Sequence, residues 1–250
     1  MSRARRIAAE ATGTYRTFIR RRTAVFFTFF FPVLLIVIFA GLVRTQSGSG
    51  GLFSEPTGYY VPAYLATVVL FTPLSRVGST VARHREGNRF EKLATTPLSR
   101  TEWLLARTLV NVVIIGIASL LILGLVVLVT GAEVALSPAL IPFVGVAVAL
   151  FCGVGALLGS LADSTDGTIA ASNTIALPLL FLSETFVPPD LLPAWFRPIV
   201  NLSPLTYFAR GVRAVTSGAG MGAWGSDLAV LCVLAVGFVA LGAYALPRTD

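Results

Sequence analysis

Residues 24–43, AVFFTFFFPVLLIVIFAGLV, run for twenty positions without a charged side chain. A helix of that length rises ~30 Å, the thickness of a bilayer's hydrocarbon core. Five more apolar runs follow, at about 58–81, 103–130, 137–161, 168–187 and 227–246. In lipid an open strand edge would leave backbone groups unpaired, so all six are expected to be helices. The expected fold class is an all-α integral membrane protein with six spans. The first run exceeds the ~7–15 residues of a signal-peptide core and is read as a retained span.

Composition agrees. The chain is 55% hydrophobic and 12% charged, about half the ~25% charged content of a soluble domain. Its net charge of +7 does not point to nucleic acid, because the arginines cluster at the ends of apolar runs. Seven of them (Arg3, Arg5, Arg6, Arg16, Arg20, Arg21 and Arg22) precede span 1, and six basic residues lie between spans 2 and 3. The opposite side carries only Arg44, Arg197, Arg210 and Arg213, so both termini are expected on the cytoplasmic side of the cell membrane. Within residues 1–23, Ile7, Ala8, Ala11, Tyr15, Phe18 and Ile19 recur at helical spacing among arginines, the pattern of a helix lying along the membrane surface.

Smaller signals lie within the spans. Gly155 with Gly159 and Ala149 with Gly153 are four apart, a spacing that lets helix backbones approach closely. Arg76 falls inside span 2 by hydropathy, where it is read as snorkelling from near the inner boundary. Pro32 and Pro178 are expected to kink spans 1 and 5. Cys152 and Cys232 sit in apolar runs without ligand spacing.

Catalytic chemistry finds no constellation. The single histidine, His84, lies among arginines away from any intramembrane serine, and no carboxylate cluster accompanies it. Asp163–Ala171, DSTDGTIAA, resembles the start of the phosphatidyltransferase motif D-x-x-D-G-x-x-A-R, but Ala171 replaces the arginine and no second carboxylate pair follows. It is read as a turn, with Thr165 or Asp166 capping span 5. A Walker A motif is missing too: Lys92, the only lysine, is followed by Leu93.

Two segments carry the functional information. The first is RHREGNRFEKLATTPLSRTEWLLAR, residues 83–107. Ser99 and Glu102 form a capping box, and Leu98 and Trp103 have hydrophobic-staple spacing. Pro97 stops the preceding segment. A helix is therefore expected from Ser99 to about Thr130, roughly 45 Å at 1.5 Å per residue, with its first turns protruding from lipid. Arg85 to Ala94 is expected to be a short helix with Phe90, Leu93 and Ala94 on one face. The second segment, residues 183–215, contains Pro188, Pro189, Pro193, Pro198 and Pro204 among Trp195, Phe196, Tyr207 and other apolar residues. Its expected form is short broken helices dipping into the outer leaflet.

These segments resemble the ABC-2 type permeases of ABC transporters, including the drug- and polyketide-efflux type. The family's cytoplasmic pattern, roughly R-E-x-G-T-x-x-x-L-x-x-T-P, is matched by Arg85, Glu86, Gly87, Leu93, Thr96 and Pro97, with Asn88 and Arg89 where Gly-Thr is usual. The later pattern is matched by Phe186, Pro188, Pro193, Trp195, Pro204, Tyr207 and Arg213, with Ser203 where Asn is common and Glu184 as a departure inside span 5.

The resemblance implies one transmembrane domain over residues 1–250, acting as half of a transporter. It would pair with a second permease copy or paralogue, and a separate subunit would bind ATP and magnesium. Residues 82–102, with Arg85, Glu86, Gly87, Phe90, Leu93, Thr96 and Pro97, would couple to that subunit. Residues 188–215, with Pro188, Pro193, Trp195, Pro204, Tyr207 and Arg213, would form the re-entrant outer hairpin. The cargo would be a hydrophobic or amphipathic compound passing between the two halves, and no substrate-contact residue is assigned. The alternative is a non-transporting polytopic protein, such as a scaffold or intramembrane enzyme.

Overall fold

A computed structural model describes residues 2–46, 56–132, 134–186 and 195–247. All regular structure among them is helical. The helices are α1 (Arg3–Arg20), α2 (Arg22–Gln46), α3 (Val61–Glu86), α4 (Arg89–Ala94), α5 (Arg100–Thr130), α6 (Leu140–Leu161), α7 (Thr165–Phe181), α8 (Arg197–Asn201), α9 (Pro204–Thr216) and α10 (Met221–Ala245), with a 3₁₀ turn at Thr57–Tyr60 before α3.

Among the described residues, four helical segments are long and apolar enough to cross a membrane: Gly58–Glu86, Arg100–Thr130, Leu140–Leu161 and Met221–Ala245. A fifth is reached when α1 and the first part of α2, which bend by 84° where they meet, are taken as one span. The bend falls at Arg21, whose φ of −89° and ψ of 84° leave the helical region. The fifth expected span is cut short: α7 has 17 residues and ends at Phe181, not at 187. At 1.5 Å per residue it rises ~25 Å, less than the hydrocarbon core. Ser183, Glu184 and Thr185, which fall inside the expected run, lie beyond the helix and are buried.

The core forms around α6, which packs against α3 on one side and α10 on the other. α3 is apolar all round its first half, and every residue from Tyr60 to Leu70 is buried. The expected small-residue contacts are present. A Cβ at Gly155 would lie 2.5 Å from the Leu74 carbonyl oxygen, and one at Gly159 would overlap the Gly78 carbonyl. On the other side, a Cβ at Gly153 would lie 2.5 Å from the backbone of Phe238 in α10. Only glycine permits these approaches.

The outer surface is equally apolar. Leu109, Val113, Ile117, Leu120, Leu121 and Leu128 stand exposed along α5, and Val233, Val236, Leu241 and Tyr244 along α10. In water so large an apolar surface would drive aggregation; on a multi-pass membrane protein it faces lipid.

Candidate functional site

One end of the bundle gathers the C-termini of α3, α6 and α10, the N-termini of α5 and α7, and α1. The connection between α3 and α5 organises this end. α3 runs through Arg85 and Glu86, so the short helix expected from Arg85 is only α4, starting at Arg89. Between them Asn88 adopts the left-handed conformation, φ 50° and ψ 33°. The resembling family usually has glycine at this position. A positive φ explains both residues, because Gly enters that region freely and Asn better than most others. Replacing Asn88 with valine is expected to lower stability by ~1–2 kcal/mol, and Asn88→Gly to be nearly neutral. Thermal unfolding of both variants in detergent checks this; equal melting would show that the turn tolerates another conformation.

Arg85 and Glu86 clamp two helix ends. The Arg85 Nη1 donates to the carbonyls of Gly159 (3.2 Å) and Ala162 (2.7 Å), at the negative end of the α6 dipole. The Glu86 carboxylate accepts from the Thr165 backbone N–H (2.6 Å) and hydroxyl (2.9 Å), at the positive end of the α7 dipole. The cap of α7 is therefore not Thr165 or Asp166: Ser164 accepts from the Gly167 N–H at 3.0 Å, while Thr165 donates to Glu86. Arg100 repeats the arrangement by donating to the Leu246 carbonyl just past α10, at 2.7 Å.

The capping box of α5 is complete. Ser99 Oγ accepts from the Glu102 N–H at 3.2 Å, and Glu102 accepts from the Ser99 N–H at 3.0 Å. Glu102 also takes a bidentate contact from Arg6 of α1, at 3.0 and 2.5 Å. One turn further, Arg107 pairs with Glu10 at 3.2 Å and stacks over Trp103. α1 is thereby tied to the start of α5. These partners are about a hundred residues apart, so no local pattern in the sequence indicates them.

The expected contact face of α4 is only partly outward. Phe90 is buried, its ring 5.4 Å from Trp103 and 5.6 Å from His84. Leu93 is half-buried against the same core. Six residues around one short helix cannot both anchor it and present an apolar face outward, and Phe90 takes the anchoring role. The exposed surface is Glu86, Gly87, Asn88, Arg89, Glu91, Lys92, Ala94, Thr95, Thr96 and Pro97. Of the expected coupling residues, then, Glu86, Gly87, Thr96 and Pro97 are exposed. Arg85 and Glu86 act as clamps, and Phe90 belongs to the core.

At the opposite end Glu184 has a partner. Its buried carboxylate receives a bidentate contact from Arg210 of α9, with Nε at 2.7 Å, and Arg210 also donates to the Asn201 side chain at 2.8 Å. Hydrogen bonding to Glu184 raises the Arg210 guanidinium above its ordinary range. Arg213 donates to the Glu184 carbonyl at 2.8 Å and stacks 4.0 Å over the Tyr59 ring. Pro204 opens α9 at its first turn, and the Tyr207 hydroxyl donates to the Asn201 carbonyl at 2.9 Å. Trp195 is exposed beside Phe196. Pro188 and Pro193 lie outside the described residues; of the rest of the expected re-entrant set, Tyr207 and Arg213 join one network through Asn201, Arg210 and Glu184, while Pro204 only opens α9.

Comparison with known proteins adds to this geometry. Residues 7–216 match the model of the ABC-2 type transporter family. A daunorubicin resistance ABC transporter permease protein from Streptomyces coeruleorubidus is 27% identical over 221 residues, covering 84% of this chain and 73% of that protein. A probable doxorubicin resistance ABC transporter permease protein from Mycobacterium tuberculosis is 25% identical over 227 residues, covering 86% and 80%.

Proposed function

Because the chain belongs to the ABC-2 type transporter family, we propose that it is the membrane subunit of a drug exporter driven by a separate ATP-binding subunit. The cargo class is hydrophobic or amphipathic, in keeping with relatives named for daunorubicin and doxorubicin resistance. In this reading α2 and α7 complete six spans, α1 lies on the inner surface of the cell membrane, and both termini are cytoplasmic. The chain forms one transmembrane domain and pairs with a second permease copy or paralogue. ATP and magnesium belong to the partner subunit.

The observation that carries the proposal is the largely exposed segment 86–97, anchored inward by Phe90. It is held by the capping box on one side and by the Arg85–Glu86 clamp on the other. Movement of an ATPase against this surface would reach α3 and α5 through the Gly87–Asn88 turn and the Ser99 cap. It would also reach α6 and α7 through Arg85 and Glu86. Rigidity matters because a loose connector would absorb the displacement.

The test uses Lys92→Glu combined with Thr96→Trp, two exposed positions, in a chain co-expressed with an ABC ATP-binding subunit that co-purifies with the parent chain. The double variant should keep a monodisperse elution profile, lose co-purification of the ATPase, and lose ATP-dependent doxorubicin transport in vesicles. Retained co-purification and transport would reject this surface as the docking site.

A further inference from the structure

Between α1, the start of α2, α3 and α5 lies a cavity of about 400 Å³. Its wall carries five arginines, Arg21, Arg76, Arg83, Arg89 and Arg107, but one carboxylate, Glu10. Glu10 is already engaged by Arg107. Arg76 stacks on the Phe18 ring at 4.2 Å, which supplies a weak electrostatic partner and not a counter-charge. Among the described residues, Arg76 Nη1, Arg83 Nε, Arg107 Nε and the Asn111 side-chain oxygen are buried without a hydrogen-bond partner. Arg21 and Arg89 are exposed at the rim, whereas Arg76, Arg83 and Arg107 are half-buried; holding these three guanidinium groups together with buried donors unsatisfied is costly unless an anion completes the site. Arg76 lines this shared cavity.

We propose that the cavity binds the phosphate headgroup of an anionic phospholipid. Guanidinium groups suit phosphate because their fixed donor fork matches its oxygens. The lipid source follows from the surroundings. Phe18, Ala24 and Val77 share the wall with the arginines, so the cavity is amphipathic. Tyr15, Ile19, Phe26 and Phe27 stand exposed on the adjoining parts of α1 and α2, where acyl chains would lie. A phosphate seated here bridges α1 to α3 and α5, adding to the Arg6–Glu102 and Arg107–Glu10 pairs. The site is independent of ATP-driven transport.

The test is lipid binding by the purified full chain after delipidation, read by native mass spectrometry and thermal unfolding. Phosphatidylglycerol, phosphatidylcholine and glycerol 3-phosphate are added separately. The expected result is retention of phosphatidylglycerol and a raised melting temperature with it alone. Arg76→Gln with Arg83→Gln should weaken phosphatidylglycerol binding about tenfold or more, whereas Arg16→Gln with Arg20→Gln, removing the same charge outside the cavity, should leave it within about twofold. Without lipid, the Arg76/Arg83 variant should melt no lower than the parent chain, because like-charge repulsion has been relieved. Lower melting without lipid would mean that these arginines are structural and would overturn the proposal. Equal loss in the Arg16/Arg20 variant would reduce the effect to diffuse surface attraction and also overturn it. Equal stabilisation by phosphatidylcholine would exclude recognition of anionic headgroups, and equal stabilisation by glycerol 3-phosphate would replace the lipid by a soluble phosphate.

Discussion

Replacing Gly159 with leucine is expected to abolish the folded protein. A Cβ there would overlap the Gly78 carbonyl and lie 2.9 Å from the Val81 Cβ. The obstacle is mainly backbone, which no rotamer change can clear, so α3 and α6 would have to separate. Leucine gains ~1 kcal/mol of helix propensity over glycine. Overpacking costs ~1–3 kcal/mol even where side chains can adjust, and here they cannot. We expect a net loss beyond ~3 kcal/mol, a large part of the ~5–15 kcal/mol that holds typical domains together. Size-exclusion chromatography of a fluorescent fusion in mild detergent should show aggregate in place of a single peak. Gly116→Leu is the control: it makes the same change in α5, where no heavy atom lies within 4 Å of the added Cβ. A monodisperse Gly159→Leu protein with unchanged melting would mean that α3 and α6 do not pack as described.

The second large effect is expected from Glu184→Ala. Its carboxylate is 5% exposed, and its loss leaves Arg210 without its bidentate partner. Breaking a fully buried pair costs ~3–5 kcal/mol. The Arg210 side chain is 38% exposed, so water compensates in part, and about 2 kcal/mol is expected. For a chain of this size that corresponds to a melting temperature lower by about 4–8 °C. Glu184→Gln, which keeps the shape and one acceptor, should lose less. Equal melting of the Ala variant and the parent chain would show that the pair does not hold α9 to the end of α7.

Much of the helical framework was legible in the sequence because lipid restricts the options. Apolar runs near 20 residues and the Gly155–Gly159 spacing each have few structural meanings. The capping box was legible for a similar reason: Ser99 and Glu102 are three residues apart and satisfy each other locally. Hydropathy misjudged the end of α7. It counted Phe186 and Val187 into the span, but it could not register that Glu184 would leave the helix to meet Arg210, 26 positions away. The outward face assigned to Phe90 failed similarly. Which side of a six-residue helix is buried depends on its neighbours, here Trp103 and His84, and not on its own pattern.

The candidate site divides along the same line. Its position, its punctuation by Thr96-Pro97 and its family resemblance are properties of consecutive residues, and the sequence alone determined them. Only the tertiary structure decided that Arg85 and Glu86 clamp α6 and α7, that Glu102 serves both its own helix and Arg6 of α1, and that five arginines surround one cavity. The physical reason is range. Caps, stops and hydrophobic length act within one or two helical turns, whereas charges in a membrane protein take their partners from whichever helix end lies beside them.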